Sequence, residues 1–333
     1  MQSHLPNDQI MFANLPETKV LTNYSPALNG IRWTPISGGF SGAEVWRGDD
    51  ENHGPVFALK VWPPEITSSR LMNIHSWMAQ ASHLSFVPSV IRTAAGASVV
   101  CESGRCWDLA RWMPGTAVAN PNPAEVEAAC VAVARLHQAW PVERTAVCPG
   151  VLNRLRVLSE FRTRLGTEPP LHLPVKESQI SLVRRAWAVV AERIDWAERL
   201  LQPWGAVQVP LAPCVRDLRS EHVFFSRGEV VGIVDYGAMA VDEPTVDLAR
   251  LLGDFQGDID ARIATGVRAY RSVINSRYVS EEFVRVLTHT GLVCSAVGWL
   301  IRLVVEQQNA SDEVAVSRRL QQLLGRVGQF APM

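Results

Sequence analysis

Apolar residues are distributed in two different ways along this chain. Early on they come in short runs broken by turn residues. Arg32–Ile36, Ala43–Trp46 and Val56–Trp62 are such runs, rich in β-branched and aromatic residues and bounded by Gly, Ser and Pro, and they predict three strands. Pro16–Tyr24 predicts a short helix ahead of them. Thr67–Gln80 predicts a longer one, with Leu71, Ile74, Trp77 and Met78 at helical spacing. Val87–Ile91, Ser98–Cys101 and Cys106–Trp112 then predict a connection and further strands.

From Thr116 the period lengthens. Pro123–Trp140 places Val126, Ala129, Val133 and Leu136 on one helical face. Leu152–Leu165 and Glu177–Leu201 predict two more helices, parted by the breaker run Glu168-Pro169-Pro170. Ile259–Ser276, Ser280–Gln307 and Ser311–Val327 predict three others, each opening near Asp or Ser. One strand signal interrupts this half. Val223–Phe225 and Val230–Val234 flank Ser226-Arg227-Gly228-Glu229, the pattern of a hairpin with a glycine in its turn. The expected fold is α+β in two lobes. A small antiparallel β-sheet lobe takes residues 1–113, and a large, mostly helical lobe takes 114–333.

Length and charge narrow the function. A chain of 333 residues can bury two sizeable cores. Its net charge of −1 argues against a broad nucleic-acid or anionic-membrane footprint. Met1–Asp8 has no apolar core, so no signal peptide is expected, and the most apolar stretch, Gly291–Val305, is interrupted by Arg302. The six cysteines are scattered without a Cys-x-x-Cys pair, which favours free thiols in a cytoplasmic protein over disulfides or a zinc site.

The chemistry concentrates around the hairpin. Asp217 precedes its first strand and Asp235 follows its second, so pairing brings both carboxylates to one side. His222 lies between them at the start of the first strand. An acid, a ligand residue and a second acid suit phosphoryl transfer, in which one carboxylate handles a hydroxyl proton and the others hold a divalent metal on phosphates. Two further stretches suit the same chemistry. Ser37-Gly38-Gly39-Phe40-Ser41-Gly42 lies between two strands, where glycines let backbone amides approach phosphates. Lys60 stands alone in the apolar strand Val56–Trp62, and a strand lysine needs a partner or water.

Arg216-Asp217 followed by Asp235-Tyr236-Gly237 resembles the catalytic loop and metal turn of the protein-kinase-like fold. Asp242-Glu243-Pro244-Thr245-Val246-Asp247-Leu248-Ala249 is similar to its aminoglycoside phosphotransferase and choline-kinase-like branch. The resemblance implies ATP as donor, Mg2+ or Mn2+ as cofactor, and a hydroxyl of a small molecule as acceptor: an amino sugar, an amino alcohol or a sugar. It implies Asp217 as base, Asp235 as metal ligand, Lys60 with Gly38, Gly39, Ser41 and Gly42 on the phosphates, and Asp247 as a brace for the catalytic loop. Trp112 and Met113 fall at the hinge, where they stack on adenine or serve the core.

Several positions depart from the pattern. Val215 replaces the usual His. His222 replaces the usual metal-binding Asn, so either its imidazole binds metal, favouring Mn2+ over Mg2+, or a water fills that place. An imidazole ligand must be neutral, which predicts weaker metal binding as pH falls through about 6–7. The helix Thr67–Gln80 lacks the glutamate that pairs with the strand lysine; Glu65 just before it is the nearest acid, and His75 is expected to pack or face solvent. Asp254 and Asp258 are either cleft acids for a cationic or hydroxylated acceptor or solvated loop acids. The competing class is a nucleotide-binding protein that has lost turnover. Oligomeric state is not legible.

Overall fold

The structure is a computed structural model that describes residues 18–36, 42–274, 279–307 and 313–328. It divides into two compact units. The first runs to Pro114 and includes Gly232–Val234; the second takes the remainder.

The first unit is an antiparallel sheet with a helix. Its elements are α1 (Thr18–Thr22), β1 (Arg32–Ile36), β2 (Glu44–Asp50), β3 (Gly54–Val61), α2 (Ser68–Gln80), β4 (Val90–Ile91), β5 (Val100–Glu102) and β6 (Arg105–Arg111). Strand order is β1-β2-β3-β6-β4, with β5 also paired to β6. Alternation along the strands puts Trp33, Trp46, Leu59, Val61, Trp107 and Leu109 into one core with Val20, Tyr24 and Leu28. Helix α2 begins at the expected residue because the Thr67 side chain accepts from the Arg70 amide, capping the first turn. Register sets Lys60 directly opposite Asp108 on β6. Cys101 and Cys106 also face each other across β5 and β6, both as free thiols, and the other four cysteines are free as well.

The second unit begins at Gly115. Its φ of +93° and the Phe225 carbonyl oxygen 2.7 Å from where a Cβ would stand leave room only for glycine. Strand β7 (Thr116–Ala117) pairs with β10 (Val223–Ser226), which pairs with β11 (Glu229–Ile233), the expected hairpin. A second three-stranded sheet joins β8 (Arg144–Val147), β9 (Gln208–Cys214) and β12 (Ala240–Asp242).

The helices of this unit are α3 (Pro123–Gln138), α4 (Pro149–Glu160), α5 (Glu177–Leu201), α6 (Thr245–Asp254), α7 (Ile259–Val273), α8 (Glu281–Leu300) and α9 (Glu313–Val327). Helices α4 and α8 each run on into a π-helical turn, Phe161–Leu165 and Ile301–Val305, which accounts for the longer helices expected from the sequence. A complete capping box starts α3: the Asn122 side chain accepts from the Glu125 amide, and Glu125 accepts from the Asn122 amide. Helix α8 packs against α4, α5, α6 and α9. With its π turn it is long and apolar enough to cross a membrane, and 67% of its most apolar window is buried within this protein.

Candidate functional site

The residues singled out by sequence fall in both units. Gly38, Gly39 and Ser41 lie outside the described residues. Gly42 is described and has a left-handed φ of +71°. Lys60 is half-buried on β3, with its Nζ 4.0 Å from the centre of the Trp62 ring. The Trp62 indole donates to Asp108 Oδ2 at 2.5 Å, and His75 Nε2 of α2 lies 3.4 Å from the same oxygen. His75 is buried, and its Nδ1 meets Ser98 Oγ at 3.0 Å, so it is a packed residue tied to the sheet. Glu65 is exposed in the turn before α2. Trp112 is half-buried and donates its amide to Val56 O, while Met113 is buried.

In the second unit the segment from Val215 to His222 has almost no ladder hydrogen bonds of its own. Its shape comes from α6. Asp247 is fully buried and accepts from the Val215 amide through Oδ2 and the Arg216 amide through Oδ1, both at 2.6 Å. His137 Nε2 meets Asp247 Oδ2 at 3.0 Å, and its Nδ1 meets the Tyr270 hydroxyl at 2.8 Å. Arg216 sits at φ +70°, unfavourable for a branched-free but bulky side chain, and the Asp247 bond holds it there.

The far end of the segment is held from the same helix. Asp254 Oδ2 accepts from the Ser220 amide at 3.0 Å and the Ser220 hydroxyl at 2.6 Å. Its Oδ1 accepts from Arg326 at 2.9 Å and Arg319 at 3.2 Å. Burial would raise the Asp254 pKa, but Arg319, Arg250 and Arg326 outweigh it and hold the carboxyl far below its usual range. Asp254 is therefore neither a solvated acid nor a cleft acid; it is an internal brace. Asp258 caps α7, accepting from the Asp260 and Ala261 amides.

Between those two braces, Arg250 points its fork at Asp217. Its Nε and Nη2 lie 3.2 and 3.0 Å from Asp217 Oδ1, and Arg219 Nε is 3.5 Å from Oδ2. The Asp217 side chain remains 44% exposed, so it is positioned and still reachable. Asp247, Arg250 and Asp254 share one face of α6 at spacings of three and four. That spacing stands in plain view in the sequence as three charges in an otherwise apolar helix. Of the three, Arg250 is the one the sequence reading passed over, and Asp254, expected in a cleft or in solvent, is the one it misplaced.

His222 is buried beside Asp235. Its Nδ1 meets the Asp217 carbonyl oxygen at 2.9 Å, and since a carbonyl only accepts, Nδ1 carries the proton. The unprotonated Nε2 then accepts from Arg219 Nη2 at 3.3 Å and lies 3.7 Å from Asp235 Oδ2, so a metal on Nε2 would displace the guanidinium. Burial, reinforced by Arg219, lowers the His222 pKa and so favours the neutral imidazole. Asp235 has φ +62°, a left-handed turn that an aspartate tolerates. A neutral nitrogen and a carboxylate oxygen at this separation fit a divalent ion that keeps several waters. His137, Cys214 and Asp247 also cluster within metal-binding reach, but both Asp247 oxygens are already committed to backbone amides.

The fold matches that of solved proteins. A spectinomycin phosphotransferase, APH(9)-Ia, solved with ADP and spectinomycin, aligns with a TM-score of 0.65 at 11% identity, over 90% of this chain and 93% of that one. An amicoumacin kinase, hAmiN, solved with AMP-PNP, Ca2+ and its antibiotic, aligns at 0.62 and 14% identity over 92% of each chain. A Plasmodium vivax ethanolamine kinase aligns at 0.55 and 11% identity over 89% and 83%. At these identities the likeness is one of fold, and the fold is protein-kinase-like. No curated protein matches the chain significantly. Residues 32–281, three quarters of the sequence and all of the loop, hairpin and α6 described above, match a single family description, and on that match the chain belongs to the phosphotransferase enzyme family.

Proposed function

We propose that this protein transfers the γ-phosphoryl group of ATP to a hydroxyl of a small molecule. The observation that carries the reading is Asp217, exposed on a loop whose backbone is pinned by Asp247 and Asp254 while His222 and Asp235 stand beside it. Asp217 would take the acceptor hydroxyl's proton as that oxygen bonds the γ-phosphorus and the bond from the γ-phosphorus to the bridging oxygen breaks, releasing ADP. Arg250 fixes the carboxylate's orientation by holding Oδ1. Asp235 and the Nε2 of His222 would hold a divalent cation, Mg2+ or Mn2+, which neutralises phosphate charge when bound. Lys60, steadied over the Trp62 ring, and the Gly38–Gly42 segment supply cations and amides to the phosphates.

The test is ADP release across a panel of hydroxylated metabolites, in wild type and Asp217→Asn. The expected result is turnover with at least one acceptor and a loss of roughly 10²–10⁴-fold in the variant, with ATP still raising the melting temperature. Undiminished turnover in Asp217→Asn would overturn the assignment of the base. An ATP-dependent melting shift without ADP release for any acceptor would favour a nucleotide-binding protein instead.

A further inference from the structure

The second unit contains an open-mouthed cavity of about 230 Å³ whose wall includes Arg250, the partner of Asp217. It is bounded by α4, α6, α8 and the start of the catalytic loop, and its walls carry three arginines, Arg154, Arg216 and Arg250, against one carboxylate, Asp242. Two of these cations are matched. Arg250 is held on Asp217, and Arg216 Nε lies 3.3 Å from the fully buried Asp242 Oδ2. Arg154 is different. Its Nη1 donates to the Gly150 carbonyl at 2.8 Å and its Nη2 reaches the Leu287 carbonyl at 3.4 Å, so among the described residues its hydrogen-bond acceptors are neutral oxygens. Its buried Nε has no hydrogen-bond acceptor. Among the described residues no carboxylate lies within ion-pair distance of it.

The fold makes room for this cation. Cβ atoms at Gly150 and Gly291 would stand 3.1 and 3.3 Å from its terminal nitrogens, so two glycines on facing helices flank the guanidinium. Removal from water lowers its pKa from the usual arginine value, yet a guanidinium stays charged in a protein. A half-buried cation with no ion pair of its own, helped only at longer range by Asp242, is costly to hold, and its cost falls when an anion occupies the cavity. A planar fork with free donors suits a carboxylate or a phosphate monoester. Asn153 and Ser295 add neutral hydrogen-bonding groups to the same wall.

We infer that the acceptor is a small anionic molecule whose carboxylate or phosphate sits on Arg154 and whose hydroxyl reaches Asp217. This deepens the phosphotransferase reading and rests on it. The surplus positive charge stands against a polycationic amino sugar, which would meet repulsion.

Binding and turnover are measured separately, so that the two readings can fail separately. Melting shifts are recorded without nucleotide for D-glycerate, D-gluconate and D-ribose 5-phosphate, and for the neutral and cationic counterparts D-ribose, ribitol and kanamycin. ADP release is then followed for the same six compounds. The expected result is a shift and turnover with an anionic compound, the hydroxy acids and the phosphate ester telling the two anion types apart. Arg154→Met should raise the KM for that compound by roughly 10–100-fold, the size of a lost charge-assisted contact, while Arg154→Lys recovers part of it. Because Arg154→Met alters a partly buried position, Asn153→Asp serves as the second variant. Asn153 is exposed, and a carboxylate placed there should weaken the anionic compound several-fold relative to its neutral counterpart without burying a new charge. Neutral or cationic compounds performing equally well, or anion shifts unchanged in both variants, would overturn the inference. Anion shifts that depend on Arg154 without any ADP release would leave the pocket assignment standing and sink the phosphotransferase reading.

Discussion

Two buried acids, one in each unit, show how differently the same residue type can hold a structure. Asp108 lies on β6, in register with Lys60, and its partners are side chains: the Trp62 indole and His75. The strand it sits on is held by backbone ladders on both sides, to β3 and to β4 and β5. Asp247 lies on α6, and its main partners are the bare amides of Val215 and Arg216. That loop has no ladder to fall back on. An acid that joins side chains can be lost with the backbone intact; an acid that replaces a ladder cannot.

The sharpest way to break this comparison is to remove each carboxylate in turn. Asp247→Ala should cost about 3–5 kcal/mol, the range for deleting one member of a buried, charged network, and should abolish turnover at temperatures where the chain still folds. Asp108→Ala should cost about 1–3 kcal/mol and leave most of the sheet's protection from hydrogen exchange. Urea unfolding of the two variants measures the difference. Equal losses would mean that the loop has support not evident in its hydrogen bonds.

A second, smaller effect concerns pH. Burial pushes the Glu243 carboxyl up to about 8, against hydrogen bonds from Thr245 that pull it down. The folded protein therefore binds a proton that the unfolded chain releases above about 4.5. Stability contributed by this group falls as pH rises from that value towards 8, by at most about 1.4 kcal/mol per unit. Burial draws His289 the other way, down to about 4 from 6.5, so its contribution falls as pH drops across that interval. Glu243→Gln should flatten a melting-temperature profile between about pH 4.5 and 8 and leave it unchanged below that window; a profile identical to wild type would show that Glu243 does not titrate there.

The smallest expected change is in metal choice. His222→Asn exchanges a nitrogen ligand for an oxygen, so activity should shift from favouring Mn2+ towards Mg2+ by several-fold with little change in stability. The ratio of rates with the two ions, measured in both proteins, checks it. An unchanged ratio would leave His222 with its bond to the Asp217 carbonyl as its whole role.

Much of this architecture was legible in the sequence because its signals are local. Strand β1 was expected at the very residues it occupies, and the hairpin ends followed from Gly228 and the apolar runs on either side. Helix α2 was expected over Thr67–Gln80 and occupies Ser68–Gln80, with Thr67 as its cap. The candidate acids Asp217 and Asp235 could be found because each borders a strand. What stayed hidden depends on contacts between distant segments. Ser220 and Arg326 lie 34 and 72 residues from Asp254, so nothing near that aspartate announced that it was caged rather than solvated. Arg154 looked like any charge on an amphipathic helix; its isolation is a property of Gly291 and Leu287, more than 130 residues away. The structure also shows His75 and Asp108 occupying the face of the sheet where the sequence suggested only a missing glutamate.

One consequence of α6 bears on how this chain can change in length. Asp247, Arg250 and Asp254 reach the Val215–His222 loop only because helical pitch returns them to the same side. Each residue turns a helix by about 100°. Deleting Leu252 would leave Asp247 and Arg250 in place and swing Asp254 about a quarter turn away from Ser220, loosening one end of the loop while the other stays fixed. Two or three residues added in the Glu168–Lys176 connection between α4 and α5 would disturb no such phase. The ten residues of α6 therefore act as a unit of fixed length, and related chains should differ in size almost anywhere else before they differ there.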